Sequence, residues 1–379
     1  MPEPIYLDHN ATTPLLPEAL DAMLPYLRGK YGNPSSVHSY GREARAAVEQ
    51  ARAQVAALIT AAPEEVFFTS GGTESNNLAL RGLAAARPEK KHIVTSNVEH
   101  PAIAKVCTHF EENGYRVTRV PVNGQGRIAA EEALAALDET TLLVTVMHAH
   151  NETGVIQPIG EIAKVAREKG VFVHTDAAQS LGKVAVSVEE LGLDLLSMAA
   201  HKLYGPKGVG ALYVRKGTPI LPFALGAGHE RGKRPGTENV ASIVGFGVAC
   251  EAARRDAEWL GELLGMMRNR LWKKLSTRVE GMRLNGEGVD RLPNTLSVRF
   301  PGVKGPELLA LVPDVAASTG AACHDGKDVA SSGILALGVP SEEAMGTVRL
   351  TLGRHTTDAQ VDKAAELLTT AWKNLTGRS

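Results

Sequence analysis

The sequence predicts an α/β protein with a mostly parallel central sheet in a large domain, joined to a smaller α+β domain. Three observations carry this reading. Short apolar runs alternate with amphipathic stretches from about residue 45 to residue 255, the pattern of strands and helices wound in turn. The runs end in polar or glycine-rich turns. After a long amphipathic helix, roughly Ala249 to Ser276, the pattern changes character.

Taken in order, ARAAVEQARAQVAALI reads as a helix, and EVFFTS, KHIVTS, YRVTRVPV, LLVTVMH, VFVHTD and LLSMAA read as six strands. The turns TSGGTES, SNVEHP, HAHNETG and HTDAAQ follow four of them. Ligands of open α/β sheets sit outside the carboxyl ends of strands, so these four turns are expected to converge on one site. Beyond the long helix, NTLSVRF, GPELLALV, ASTGAAC and TVRLTLG lead to a terminal helix from Asp358. The expected division is a large domain over residues 15–255 and a small one over 256–379, completed by 1–14. No repeat and no long Gly/Ser linker interrupts the chain.

With 379 residues, 44% hydrophobic and 22% charged, and a net charge of -1, the chain has no global attraction for nucleic acid or an anionic membrane. Small-molecule chemistry is favoured. No apolar run approaches the roughly 20 residues that span a bilayer, and MPEPIYLDHN lacks the regions of a signal peptide. Cytoplasm is the simplest address. Cys107, Cys250 and Cys323 are far apart, with neither a CxxC pair nor a zinc spacing.

The candidate site residues follow from the turns. Lys202, in DLLSMAAHKLYGPKGVGALYV, sits between an apolar run and a glycine-rich loop, among small and apolar neighbours that favour the neutral amine a Schiff base needs. A surface loop lysine fits the same segment. Asp176 ends VFVHT and Gln179 follows three residues later. An aspartate there can keep a pyridinium nitrogen protonated, with Gln179 reaching the phenolic oxygen, though a helix cap gives the same spacing. In TSGGTESNN, Gly71 and Gly72 permit close backbone approach and Thr73 adds a hydroxyl beside free helix amides, as a single phosphate requires. This is neither a Walker loop nor GxGxxG. His100, in SNVEHPA, is placed over a bound ring or near its reacting carbon. His148 and His150 alternate around Ala149, but no third metal ligand is placed, so no metal site is assigned. Cys107 and Cys250 lie in apolar stripes, as buried cysteines do. Cys323, in ASTGAACHDGKDVASSG, sits among small and polar residues, where a thiolate is accessible.

Together, HTDAAQ, AAHKLYGPKGVGALY, GHERGKRPGTENV and STGAACH resemble the NifS-like cysteine desulfurases and selenocysteine lyases of the class V aminotransferase family. The likeness runs from LDHNATTP to VRLTLGRHTT. It implies fold type I of the pyridoxal 5'-phosphate enzymes and a homodimer. It also implies that Lys202 holds the cofactor covalently, Asp176 binds the ring nitrogen, Gln179 the phenolic oxygen, and His100 stacks on the ring. Gly72, Thr73 and His201 are implied at the phosphate, with Thr237 serving the neighbouring subunit. Asn151 and Arg349 are implied to position the substrate carboxylate, and Arg354 lies in the same segment. Lys202 then removes the α-proton and Cys323 takes the sulfur as a persulfide, for an acceptor protein the sequence does not identify.

The chain departs from many desulfurases in two places. Ala199 replaces a serine that would contact the phosphate, a loss that Ser197 or a backbone amide is expected to offset. Cys-His-Asp follows STGAA in place of Cys-Thr-Ser, and this and the nonserine position look closer to selenocysteine lyases. The leading expectation is cysteine desulfurase acting on L-cysteine, with L-selenocysteine the alternative substrate. An ordinary aminotransferase leaves Cys323 without a task, and a cofactor-free scaffold leaves Lys202 without one.

Overall fold

The structure is a computed structural model that describes residues 3–319 and 329–378. The first part of the chain forms β1 (Ile5–Tyr6), α1 (Pro17–Arg28), α2 (Ser39–Leu58), β2 (Val66–Thr69), α3 (Gly72–Ala86), β3 (His92–Ser96) and α4 (Pro101–Glu112). Then come β4 (Arg116–Val120), α5 (Ala130–Ala135), β5 (Thr141–Thr145), α6 (Ile159–Glu168), β6 (Phe172–Asp176), β7 (Leu195–Ala199) and β8 (Gly210–Val214). The remainder comprises α7 (Val240–Ser276), β9 (Arg283–Leu284), β10 (Thr295–Arg299), α8 (Gly305–Ala310), β11 (Val315–Ala316), α9 (Ser332–Leu335), α10 (Ser341–Met345), β12 (Thr347–Thr351) and α11 (Asp358–Thr376).

Seven strands form the central sheet in the order β2-β8-β7-β6-β5-β3-β4. Four neighbouring pairs run parallel, from β7 through β6, β5 and β3 to β4, while β8 is antiparallel to β2 and β7 on either side. The mostly parallel sheet is as expected, and β8 is a seventh strand that the sequence reading did not separate from its glycine-rich loop. Helices cover both faces. Phe67, Ile93, Leu143 and Leu195 pack on α3 and α4 through Leu78, Leu83, Ile103 and Phe110. Their strand neighbours Phe68, Val94, Val144 and Leu196 point the other way, onto Val48 and Val55 of α2, Ile162 of α6 and Phe246 of α7. Burial on both sides explains why the strands are unbroken apolar runs. The edge strand β4 is the exception, with exposed Arg116 and Arg119 discouraging further pairing.

A second core joins Leu264, Leu271 and Leu275 of α7 to Leu296, Val298, Val348, Leu350, Leu368 and Trp372. Its antiparallel sheet has the order β12-β10-β9, and β1 pairs in parallel with β11. With 37 residues, α7 is about 55 Å long at 1.5 Å per residue, enough to serve both cores. It begins nine residues before the expected Ala249. Asn239 caps it by accepting from the Ser242 amide at 3.3 Å, and Gly245 and Gly247 blur the periodicity. Gly247 has a packing reason, because a Cβ there would lie 2.7 Å from the Ala51 Cα of α2.

The chain moves outward from β3 to β4, then crosses back over β3 to β5 and continues to β6 and β7. The strand order reverses at the β3/β5 boundary, where open sheets leave a crevice at their carboxyl ends.

Candidate active site

A cleft of about 220 Å³ opens at that reversal, lined by residues from all four of the expected turns. Gly72, Thr73 and Asn76 come from the start of α3, and His100 from the turn after β3. Asn151 follows β5, and Asp176 and Gln179 follow β6. Ala199, His201 and Lys202 complete the lining from the end of β7.

The turn before α3 works because Gly71 takes φ of 146°, a conformation costly for any other residue. It also lets β8 close in, since a Cβ on Gly210 would lie 2.7 Å from the Gly71 Cα. The free amides at the start of this 15-residue helix carry partial positive charge, and Thr73 stands exposed beside them.

Asp176 ends β6 as a carboxylate gripped by two donors. Its Oδ2 accepts from Asn76 Nδ2 at 2.7 Å and its Oδ1 from the Ala178 amide at 3.0 Å. The Asn76 Oδ1 beside it is buried with no partner among the described residues, an orphan acceptor at the cleft. Gln179 is buried and its Nε2 donates to the Asn10 carbonyl at 3.0 Å.

Lys202 lies in the tight turn after β7. Its Nζ donates to the carbonyls of Asn10 and Ala11 at 2.6 and 2.8 Å. His201 shares a proton between Nδ1 and Thr12 Oγ1 at 3.1 Å. Burial, then Lys202, Lys207 and Lys183, push its pKa down to about 4, so it presents a neutral ring near pH 7. His100 caps α4 by accepting from the Ala102 amide through Nδ1 at 3.1 Å, which leaves the proton of the neutral ring on Nε2. Although His100 is exposed at the mouth of the cleft, the protein packed around the ring lowers its pKa, with Asp176 opposing and Lys202 adding to that shift.

Other expected residues fall outside the lining. Arg349, on β12, is buried behind Asn151. It donates to the Asn151 carbonyl at 3.0 Å and to Asp8 Oδ1 at 2.7 Å, while its Nε has no partner among the described residues. Arg354 instead pairs with Asp256 at 2.6 Å. Thr237 is exposed on the segment before α7. Cys323 lies outside the described residues. Cys107 and Cys250 are buried, and burial pushes the Cys107 thiol up to about 12 and Cys250 well above its ordinary value. The expectation for Ser197 needs correction. Its hydroxyl is fully buried within the sheet and paired with His174 Nε2 at 3.0 Å, so it does not replace the hydroxyl missing at Ala199.

Residues 5–364 match the model of the family described as aminotransferase class-V. A protein named cysteine desulfurase IscS from Dictyoglomus turgidum is 45% identical over 97% of this chain and 94% of its own length. The chain belongs to the class-V aminotransferase family, in its NifS-like cysteine desulfurase branch. A mouse (Mus musculus) relative named cysteine desulfurase is 44% identical over 96% of this chain and 80% of its own length. Among solved structures, one titled NIFS-LIKE PROTEIN superposes with a TM-score of 0.91 at 36% identity, covering 99% of this chain and 100% of that one. Another, titled SspA in complex with cysteine, gives 0.83 at 34% identity over 93% of this chain and 99% of that one.

Four residues of this family member were not singled out from sequence. Asn10 is the node of the site: its carbonyl receives Gln179 and Lys202, its Oδ1 receives Lys183 and Asn294, and its Nδ2 donates to Thr295 Oγ1 at 2.9 Å and the Asn151 carbonyl at 3.3 Å. Nothing periodic marks it, and only tertiary contact reveals it. Asn76 sits within a helix, where its grip on Asp176 leaves no local trace. Lys183 follows Gln179 by four residues, the spacing of facing side chains on a helical turn. Glu99 precedes His100 and accepts from the Met147 amide at 3.0 Å and Ser96 Oγ at 2.5 Å. Burial, partly opposed by these donors, raises its pKa to about 8.

Proposed function

We propose that the chain is a pyridoxal 5'-phosphate-dependent cysteine desulfurase, converting L-cysteine to L-alanine and leaving the sulfur as a persulfide on Cys323. The observation that carries this reading is the meeting of Lys202, the doubly held Asp176 carboxylate and the open N-terminus of α3 in one cleft, with His100 at its mouth. These residues fit the cofactor. The Asn76 Oδ1, buried without a partner among the described residues, belongs to a residue lining the cleft, and Gly72 and Thr73 bring the N-terminus of α3 to its wall.

Lys202 would anchor the cofactor, Asp176 its ring nitrogen and Gln179 its phenolic oxygen. Gly72, Thr73 and His201 would hold the phosphate, and His100 would cover the ring. Bound there, pyridoxal phosphate supplies an electron-withdrawing ring that accepts the charge released when the amino acid's Cα–H bond breaks. Asn151 and Arg349, which donates to the Asn151 carbonyl and to Asp8 Oδ1, would orient the substrate carboxylate. Lys202 is the base within the cleft that takes the α-proton. The Cys323 thiolate attacks the substrate sulfur and the C–S bond breaks with its electron pair passing to Cβ; the proton given up by the Cys323 thiol and the α-proton taken by Lys202 are then returned, one to Cβ and one to Cα. One L-cysteine and one Cys323 thiol thus give one L-alanine and one Cys323 persulfide. Thr237 would serve the phosphate of a second copy in a homodimer, and an acceptor protein would remove the sulfur.

The test supplies L-cysteine and L-selenocysteine separately and measures alanine. Wild-type protein should form alanine from cysteine, Cys323→Ala should lose that activity, and Lys202→Ala should lose the visible absorption. Turnover of selenocysteine with none of cysteine would make the chain a selenocysteine lyase and overturn the desulfurase reading.

A further inference from the structure

Lys183 has no role in the reaction as described, yet its amine reaches into the wall of the cleft. Nζ donates to Gln179 Oε1 at 3.0 Å and to Asn10 Oδ1 at 3.2 Å. The residue as a whole is half-buried, with the amine end enclosed by protein. No feature of the reaction described above requires a lysine here.

A carboxamide has two chemically different ends: its oxygen only accepts and its nitrogen only donates. On one side Gln179 meets the Asn10 main-chain carbonyl, which only accepts and therefore demands the nitrogen, at 3.0 Å. On the other side Lys183 Nζ donates to the oxygen at 3.0 Å. Turning the amide over would set nitrogen against amine and oxygen against carbonyl. The second N–H of Nε2 has no acceptor among the described residues, and Gln179 lines the cleft. The same Asn10 carbonyl also receives Lys202 Nζ at 2.6 Å, so the brace and the anchoring lysine share one acceptor.

We propose that Lys183 is a positioning residue: it locks Gln179 with its donor end toward the cleft, so that the phenolic oxygen of the bound cofactor meets a fixed N–H. The inference rests on the cofactor reading above. A fixed donor favours the ionised phenolic oxygen, and so lowers the pH at which the bound chromophore loses its proton. Burial, then Lys202 and Arg349, push the Lys183 pKa well below its ordinary value, and burial, then Lys183 and His355, lower that of His9 to about 4.

The experiment is a spectrophotometric pH titration of the holoenzyme as wild type, K183M, K183Q, K183R, Q179L and K183M/Q179L, with a thermal melt of each. One hydrogen bond of ordinary strength corresponds to about 0.5 to 1 pH unit. K183M and K183Q should raise the titration midpoint by that amount, K183R should restore it, and K183M should add nothing in the Q179L background. Either loss-of-amine variant gives the answer if the other does not fold. Three results overturn the proposal: a wild-type midpoint in both variants, a shift that persists undiminished in the Q179L background, or a lowered melt with unchanged titration. A wild-type protein with no visible band would instead overturn the cofactor reading, and this inference with it.

Discussion

Replacing Arg52 with leucine should free the segment that carries Thr237. Arg52 and Glu230 are 4% and 5% exposed, and their side chains pair through two parallel bonds of 2.8 Å. Arg52 also donates to the Val66 carbonyl, and Glu230 accepts from the Phe68 amide, both at 2.8 Å. Its guanidinium lies 4.8 Å over the Phe68 ring. Burial alone would lower the Arg52 pKa, but Glu230 and Glu49 more than offset it. Without Arg52, the Glu230 carboxylate stays buried with a single donor, and removing one partner of such a pair costs about 3–5 kcal/mol. Glu230 and Arg231 have φ of 45° and 55°, a conformation that costs of order 1–3 kcal/mol per residue and persists only while its surroundings enforce it. Urea unfolding should show the loss, and trypsin should cut faster at Arg231 and Lys233, Arg234 being protected by Pro235 after it. The half-exposed pair of Arg270 and Asp362 is the control, since Arg270→Leu should cost no more than about 1 kcal/mol. Arg52→Leu/Glu230→Leu should recover part of the loss, because no buried charge remains. Equal losses for Arg52→Leu and Arg270→Leu would refute the reasoning.

Glu99→Gln should change how stability depends on pH. A carboxyl whose folded pKa is raised to about 8 holds a proton in the folded state that the unfolded state has already released. Wild-type stability is therefore full below the unfolded pKa and declines as pH rises toward 8, by up to about 1.4 kcal/mol per pH unit. The variant should lack that decline in unfolding measurements from pH 5 to 8. Ala199→Ser should return a hydroxyl to the cleft and slow cofactor loss on dilution about tenfold, the effect of one hydrogen bond to a charged group. Arg349→Lys should raise the KM for cysteine at least tenfold with a smaller effect on kcat, because an ammonium does not bridge Asp8 and Asn151 as the guanidinium does.

Much of the site was legible because it is built from turns that follow strands, and the strands are apolar runs of unmistakable length. Gly72, Thr73, His100, Asp176, Gln179 and Lys202 were found in this way, and the cleft contains them all. The strand β8 was less legible, because GALYV follows a glycine-rich loop with no turn to mark its start. The start of α7 was hidden by Gly245 and Gly247, which pack closely against Met23 of α1 and Ala51 of α2. For Ser197 the sequence offered a hydroxyl but not its direction, and His174 claims it inside the sheet.

The sequence by itself determined the alternating architecture, the order of the turns and the family, because these depend on local periodicity and on motifs read along the chain. Only the tertiary structure decided which side chains brace the site. Asn10 meets Thr295, Asn294 and Thr351 across 284 to 341 residues of chain, while Asn76 meets Asp176 across 100. Hydrogen bonds of that span follow from how packed elements approach one another, and neither propensity nor spacing encodes them.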